Sequence, residues 1–168
     1  KNEIYEDYVN EEKLTFRPGV KRLISELKEN KIRIALVSSS SKTNIENLLL
    51  KGLKFKSVEF FDLIAHGDST KNKKPSPEIY EWALEKLKLS AQSCIAIEDS
   101  PRGIDSAVSA KIKVIATPSE LTSDENFEAA DLVVSDLGDP GMPFKRLLGS
   151  TFGEENVNVG LLKKLIES

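Results

Sequence analysis

The spacing of apolar residues changes several times along the chain, and each change marks a new element. Val20, Leu23, Ile24 and Leu27 recur at helical intervals behind a Pro18-Gly19 break, and Asn30 closes that helix. Ile32 to Val37 is mostly apolar, which predicts a strand buried on both faces. Ser38 to Ser41 follow directly, and then Ile45, Leu48 and Leu49 predict a helix ending around Gly52. Phe60 to Ala65 reads as a second strand, Lys71 to Pro77 as a basic loop, and Glu78 to Lys88 as an amphipathic helix. Ser93 to Ile97 predicts a third strand ending at Glu98-Asp99, with Pro101 to Lys111 helical behind it. Val114 to Thr117 and Leu132 to Val134 predict two more strands. Glycines and prolines mark Gly138 to Gly153 as loop, and Gly160 to Glu167 predicts a last helix. At the other end, Ile4, Tyr5, Tyr8 and Val9 give Lys1 to Asn10 the pattern of a helix with one sticky face.

Strands alternating with helices predict an α/β fold: a mainly parallel sheet with helices on both faces, a three-layer sandwich. The 168 residues suffice for one such domain. With 24 basic and 27 acidic residues mixed along the chain, no basic stripe exists to follow a nucleic-acid backbone. No apolar run approaches the roughly 18 residues of a membrane span, and Lys1 to Glu6 is not a signal peptide. The lone Cys94 sits in an apolar run and reads as a structural thiol in a reducing compartment. A cytoplasmic location is expected, or the plastid stroma if the source is a photosynthetic eukaryote.

In an open parallel sheet, ligands bind beyond the carboxyl ends of the strands. Three polar clusters fall there. Ser38-Ser39 ends one strand, where hydroxyls and backbone N–H groups can hold a phosphate; a simple cap on the next helix is the alternative. In Lys74-Pro75-Ser76-Pro77 the prolines stiffen the backbone on either side of Ser76 and present the lysine in a defined direction, fit to neutralise a phosphoryl oxygen, or else this is a solvated basic loop. Glu98-Asp99-Ser100 puts two carboxylates side by side at a strand end. Their repulsion is usually tolerated for a cation, and hard oxygens suit Mg²⁺. Asp99 or Ser100 can also cap the helix that Pro101 opens.

The stretches RPGVKRLISELKENKIRIALVSSSS, KKPSPEIYEWALEKLKL and IAIEDSPRGIDSAVSAKIKVIAT, in this order from Arg17 to Thr117, resemble the haloacid dehalogenase superfamily. The similarity is to the branch that holds β-phosphoglucomutase and the phosphoglycolate-type phosphatases. It implies a Rossmann-like core and a Mg²⁺-dependent phosphatase that works through an aspartyl-phosphate. The substrate implied is a small phosphorylated sugar or acid, and the chain is expected to be a monomer when complete. By the same resemblance Ser38 is the second-motif hydroxyl, Lys74 the third-motif lysine, and Glu98 and Asp99 the fourth-motif acids. The segments from Thr122 to Phe127 and from Ala130 to Gly141 resemble the CbbY-like phosphatases, which implies a sugar bisphosphate.

The chain departs from this family at its start. The first motif, a strand ending in Asp-x-Asp-Gly-Thr, is absent, and with it the nucleophile and the general acid/base. Residues 1–16 resemble only the end of the helical cap and its linker, and residues 17–168 an incomplete core. The missing strand would lie at the centre of the sheet, between the strands ending at Ser38 and Ile97. Its loss would leave a gap of about 10 Å, twice the usual strand spacing. The chain opens within a helix pattern and without Met, so a preceding piece is expected. A phosphomutase and a non-catalytic phosphate-binding module are the alternative functions.

Overall fold

The structure is a computed structural model, and it describes residues 15–52, 60–122 and 124–168. The helix expected over Lys1 to Asn10, and most of the expected cap remnant, lie outside the described residues. The described elements run α1 (Val20–Glu29), β1 (Ala35–Val37), α2 (Lys42–Asn47) with a π-helical continuation over Leu48–Gly52, and β2 (Leu63–Ala65). They continue with α3 (Glu78–Leu87), β3 (Ile95–Glu98), α4 (Pro101–Ser109), β4 (Lys113–Ala116), β5 (Leu132–Val134), β6 (Arg146–Leu148) and α5 (Val159–Glu167).

Strand β4 shows why three layers form. Successive side chains on a strand point to opposite faces, and all of β4 from Val114 to Ala116 is fully buried. Val114 and Ala116 pack with Ile79 and Tyr80 of α3 and Ile104 and Ala107 of α4. Ile115, between them, packs on the other side with Leu23 of α1 and Leu161 and Leu165 of α5. A strand apolar at every position therefore needs helices above and below. Among the described residues no helix is long and apolar enough to cross a membrane.

Two expectations from the pattern need correction. The first strand is shorter than Ile32 to Val37, because side chains replace part of its ladder. The Asp62 carboxylate takes the Ile34 N–H at 2.8 Å, and exposed Arg33 reaches the Leu87 carbonyl at 2.6 Å. Within Gly138 to Gly153, expected to be loop, lies strand β6, antiparallel to β5. All three β6 side chains are exposed, so backbone pairing alone defines it, with no alternation in the sequence to announce it.

The strands form two sheets. β1 and β2 pair in parallel, and β3, β4 and β5 form a parallel set that β6 closes. Among the described residues no strand of one sheet is hydrogen-bonded to a strand of the other. Backbone groups alternate between the two edges of a strand. Ser38 donates to Ala65 on β2, so Val37 turns its backbone to the opposite edge. Thr117 donates to Glu98, so Ile97 likewise turns away from β4. Among the described residues no strand pairs with these outward edges of β1 and β3, and Ile97 is left 40% exposed.

One contact fixes the serine segment behind β1. Gly67 donates its N–H to Ser40 O at 2.7 Å, and Lys73 Nζ donates to the Gly67 carbonyl. A Cβ at position 67 would come well under 3.0 Å from the Ser39 carbonyl oxygen, a backbone atom with nowhere to go. Gly67→Ala should therefore destabilise the protein by about 1–3 kcal/mol, the usual cost of overpacking. Urea unfolding of parent and variant side by side should show a lower midpoint at unchanged slope; equal midpoints would mean that the segment simply shifts.

Candidate active site

Ser38, Lys74 and Asp99 reach the same rim of the molecule by three different local devices. Ser38 follows the last residue of β1 and is half-buried, while Ser39 is exposed. Neither caps the next helix. That role falls to Ser41, whose Oγ accepts from Asn44 N at 3.3 Å. Ser38 Oγ instead accepts from Ser40 N at 3.1 Å, which leaves its own O–H as a donor. The helix that follows is only six residues long before it becomes π-helical, so its dipole adds little here.

Lys74 is not a solvated loop residue. It is 8% exposed, although Lys71 and Lys73 beside it lie open to solvent. Its Nζ donates to Glu98 Oε1 at 2.5 Å and to the Val37 carbonyl at 3.2 Å. The ammonium thus joins the unpaired edge of β1 to the end of β3. Helix α4 grips the loop that carries it: Arg102 Nη2 donates to Lys74 O at 2.5 Å, and Ser106 Oγ to Ser76 O at 2.6 Å. Lower in the loop, the Glu78 carboxylate accepts from Lys71 N at 2.9 Å and Asn72 N at 3.0 Å. Those bonds hold its pKa below the ordinary carboxylate value.

Glu98 and Asp99 are adjacent in sequence but differ in environment. Glu98, 8% exposed, gives Oε1 to both Lys74 and the hydroxyl of Tyr80. Its other oxygen lies over Gly103 of α4, where a Cβ would collide with the carboxylate. The two acids therefore do not form the exposed pair that adjacency predicts; Lys74 already neutralises Glu98. Asp99 is exposed, and its carboxylate has no hydrogen-bond partner among the described residues. Its backbone carbonyl is held by Thr122 Oγ1 at 2.9 Å. Ser100 caps α4 through Gly103 N at 3.3 Å, with Pro101 in the first turn.

Four residues of this site carry no motif of their own: Tyr80, Arg102, Ser106 and Thr122. Tyr80 alone had a readable signal. It is a tyrosine on the apolar face of an amphipathic helix, and a buried hydroxyl needs a partner. Burial, and then the charge of Glu98, push its phenol well above the ordinary value, so it stays a donor. Burial also raises the half-buried Cys94 thiol, which keeps it poorly reactive.

The residues for a divalent cation are few. Among the described residues no three His, Cys, Asp or Glu side chains converge. A hard-oxygen site for Mg²⁺ needs only one or two carboxylates, with waters and a ligand phosphate completing it. Asp99 fits that minimal requirement; Glu98, committed to Lys74, fits less well.

Comparison with known proteins gives the family. The model of the family described as haloacid dehalogenase-like hydrolase matches residues 1–117. Protein CbbY of Rhodobacter capsulatus is 34% identical over 137 residues, covering 82% of this chain and 60% of that protein. The plasmid-borne protein CbbY of Cupriavidus necator is 37% identical over 139 residues, covering 83% and 55%. The chain thus spans little more than half the length of these relatives. A crystal structure of mutant CbbY from Rhodobacter sphaeroides, in complex with xylulose-(1,5)bisphosphate, superposes with a TM-score of 0.73 at 34% identity, covering 82% of this chain and 64% of that one. β-Phosphoglucomutase from Clostridium difficile gives a TM-score of 0.60 at 36% identity, covering 72% and 50%. The chain belongs to the haloacid dehalogenase-like hydrolase family, among its CbbY-like members.

Proposed function

We propose that this chain supplies most of the catalytic core of a phosphatase for a small phosphorylated sugar. One observation carries that reading. Among the described residues, a lysine ammonium is buried between the ends of β1 and β3, on the same rim as a serine hydroxyl free to donate and an exposed carboxylate without a hydrogen-bond partner. Phosphoryl transfer asks the protein mainly for positioning and for neutralisation of charge on the phosphoryl oxygens. Lys74 and Ser38 hold those oxygens, with Ser39 beside them. Lys74 has two of its three N–H groups engaged, by Glu98 and Val37, and the third is available to a ligand. The Ser38 hydroxyl has its proton free to donate.

Asp99 would hold Mg²⁺, which when bound supplies positive charge opposite the phosphate. Glu98 acts here as the counter-ion that fixes Lys74, rather than as the first choice of metal ligand. The nucleophile would be an aspartate on a strand seated between the unpaired edges of β1 and β3, forming an aspartyl-phosphate that water then hydrolyses. Residues 17–168 would be the incomplete core that receives that strand, and residues 1–16 the end of a cap. The CbbY structure bound to xylulose-(1,5)bisphosphate favours a sugar bisphosphate as substrate. The β-phosphoglucomutase likeness makes a phosphomutase the second reading.

Two measurements test this on the enzyme completed with its nucleophile-bearing strand. Replacing Lys74 with Met should lower kcat by about 10²- to 10³-fold, the usual loss for one donor to a developing oxyanion. Lys71→Ala should leave kcat unchanged. Lys73 is no equivalent control, because it holds the Gly67 carbonyl. Equal losses at positions 71 and 74 would remove Lys74 from the phosphate site. Asp99→Asn should raise the Mg²⁺ concentration needed for half-maximal activity and for protection against thermal unfolding; an unshifted titration by both readouts would remove Asp99 from the metal site.

A further inference from the structure

Tyr80 is a buried side chain that meets both members of the Lys74–Glu98 pair. It is 6% exposed, the third residue of α3, and stands four residues after Ser76, whose carbonyl accepts from Ser106. Side chains in the first turn of a helix lean back toward its N-terminus. Here that lean carries the phenol ring under the Lys74 ammonium, 5.0 Å from Nζ to the ring centroid. The hydroxyl then reaches the same Glu98 oxygen that Lys74 uses.

We propose that Tyr80 is a positioning residue for Lys74, and through it for the bound phosphoryl group. The proposal rests on the placement of Lys74 in a phosphate site. Its physics is a competition for one carboxylate oxygen. A lysine paired with a buried carboxylate tends to collapse onto it, spending its donors there. Tyr80 counters this in two ways. Its hydroxyl occupies Oε1 alongside Lys74 and draws off part of that oxygen's acceptor capacity. Its ring, beneath the ammonium, stabilises the cation without using a hydrogen bond. With Val37 O as a second anchor, Lys74 is held at the edge of β1, and one N–H stays open for a ligand. A phenylalanine at position 80 would keep the ring and lose the restraint on Glu98.

The test is a double-mutant cycle on the completed enzyme with Mg²⁺ present, using Tyr80→Phe, Lys74→Met and the pair. The readouts are the affinity for inorganic phosphate, by calorimetry, and kcat/KM for p-nitrophenyl phosphate. Tyr80→Phe should lower both by about tenfold, the worth of one hydrogen bond to a charged group. In the Lys74→Met background it should cause no further loss, because a residue acting through Lys74 has nothing left to position. If Lys74→Met does not fold, Lys74→Arg takes its place in the cycle, keeping a charge opposite Glu98 while changing the donor geometry. An equal fold-loss in both backgrounds, or no loss in Tyr80→Phe while the Lys74 variant is impaired, would overturn the role of Tyr80. Undiminished phosphate affinity in the Lys74 variant itself is a separate outcome: it removes Lys74 from the phosphate site and the proposal falls with it.

Discussion

The buried ion pair between Lys74 and Glu98 is the constraint on which the site depends. Each charge is 8% exposed, so each has lost most of its water, a penalty that mutual attraction only roughly offsets. Such a pair contributes little net stability compared with an apolar replacement, yet removing one partner costs about 3–5 kcal/mol because the other is stranded. Its effect is therefore on geometry. To meet Glu98, the lysine loop must cross from α3 to the ends of β1 and β3. Helix α4 must then supply Arg102 and Ser106 to that loop's carbonyls, and must leave position 103 without a side chain. The helix capped by Ser100, next to Asp99, thus also holds the path of the lysine, so both halves of the rim are tied to one helix.

The two sheets set a second condition. An unpaired parallel edge is a place where another strand can add, and proteins rarely leave one uncovered. Here two such edges belong to neighbouring sheets and are linked by a single ammonium, from Val37 O to Glu98. Among the described residues it is the Lys74 side chain, rather than a strand, that joins the two edges.

Much of this was legible in the sequence, and the limits are physical. The position of each strand end was readable because these parallel strands are apolar along their length and meet a polar residue at the end, as at Ser38 and Glu98. Ser38, Glu98 and Asp99 could be placed from those strand ends, whereas Lys74, in the loop ahead of α3, was marked only by the prolines beside it. What sequence order could not give was side-chain direction. Glu98 and Asp99 are neighbours in the chain, but strand geometry sends them to opposite environments, one to Lys74 and one to solvent. Among four consecutive serines, only backbone geometry decides that Ser41 caps the helix. Strand β6 was missed because none of its side chains is buried. The roles of Arg102 and Thr122 were invisible for another reason: each binds a backbone carbonyl, which every residue has.

Arg17 has a consequence for how this rim could be rebuilt. Its guanidinium donates to Thr117 O at 2.7 Å, Pro118 O at 2.8 Å and Ser135 O at 2.7 Å, gathering the turns behind β4 and β5 around one side chain. Residue 17 lies 100 positions from residue 117. The turn behind β4 runs on to Thr122, the residue that holds Asp99. It is therefore not a cassette. Moved onto a chain without an arginine at position 17, residues 117–122 would leave the Thr117 and Pro118 carbonyls without their donor. A lysine there has three donors on one nitrogen, which a fork spanning two turns does not need to crowd together. A crossover between the two segments would keep these contacts only where the other parent also supplies an arginine at position 17.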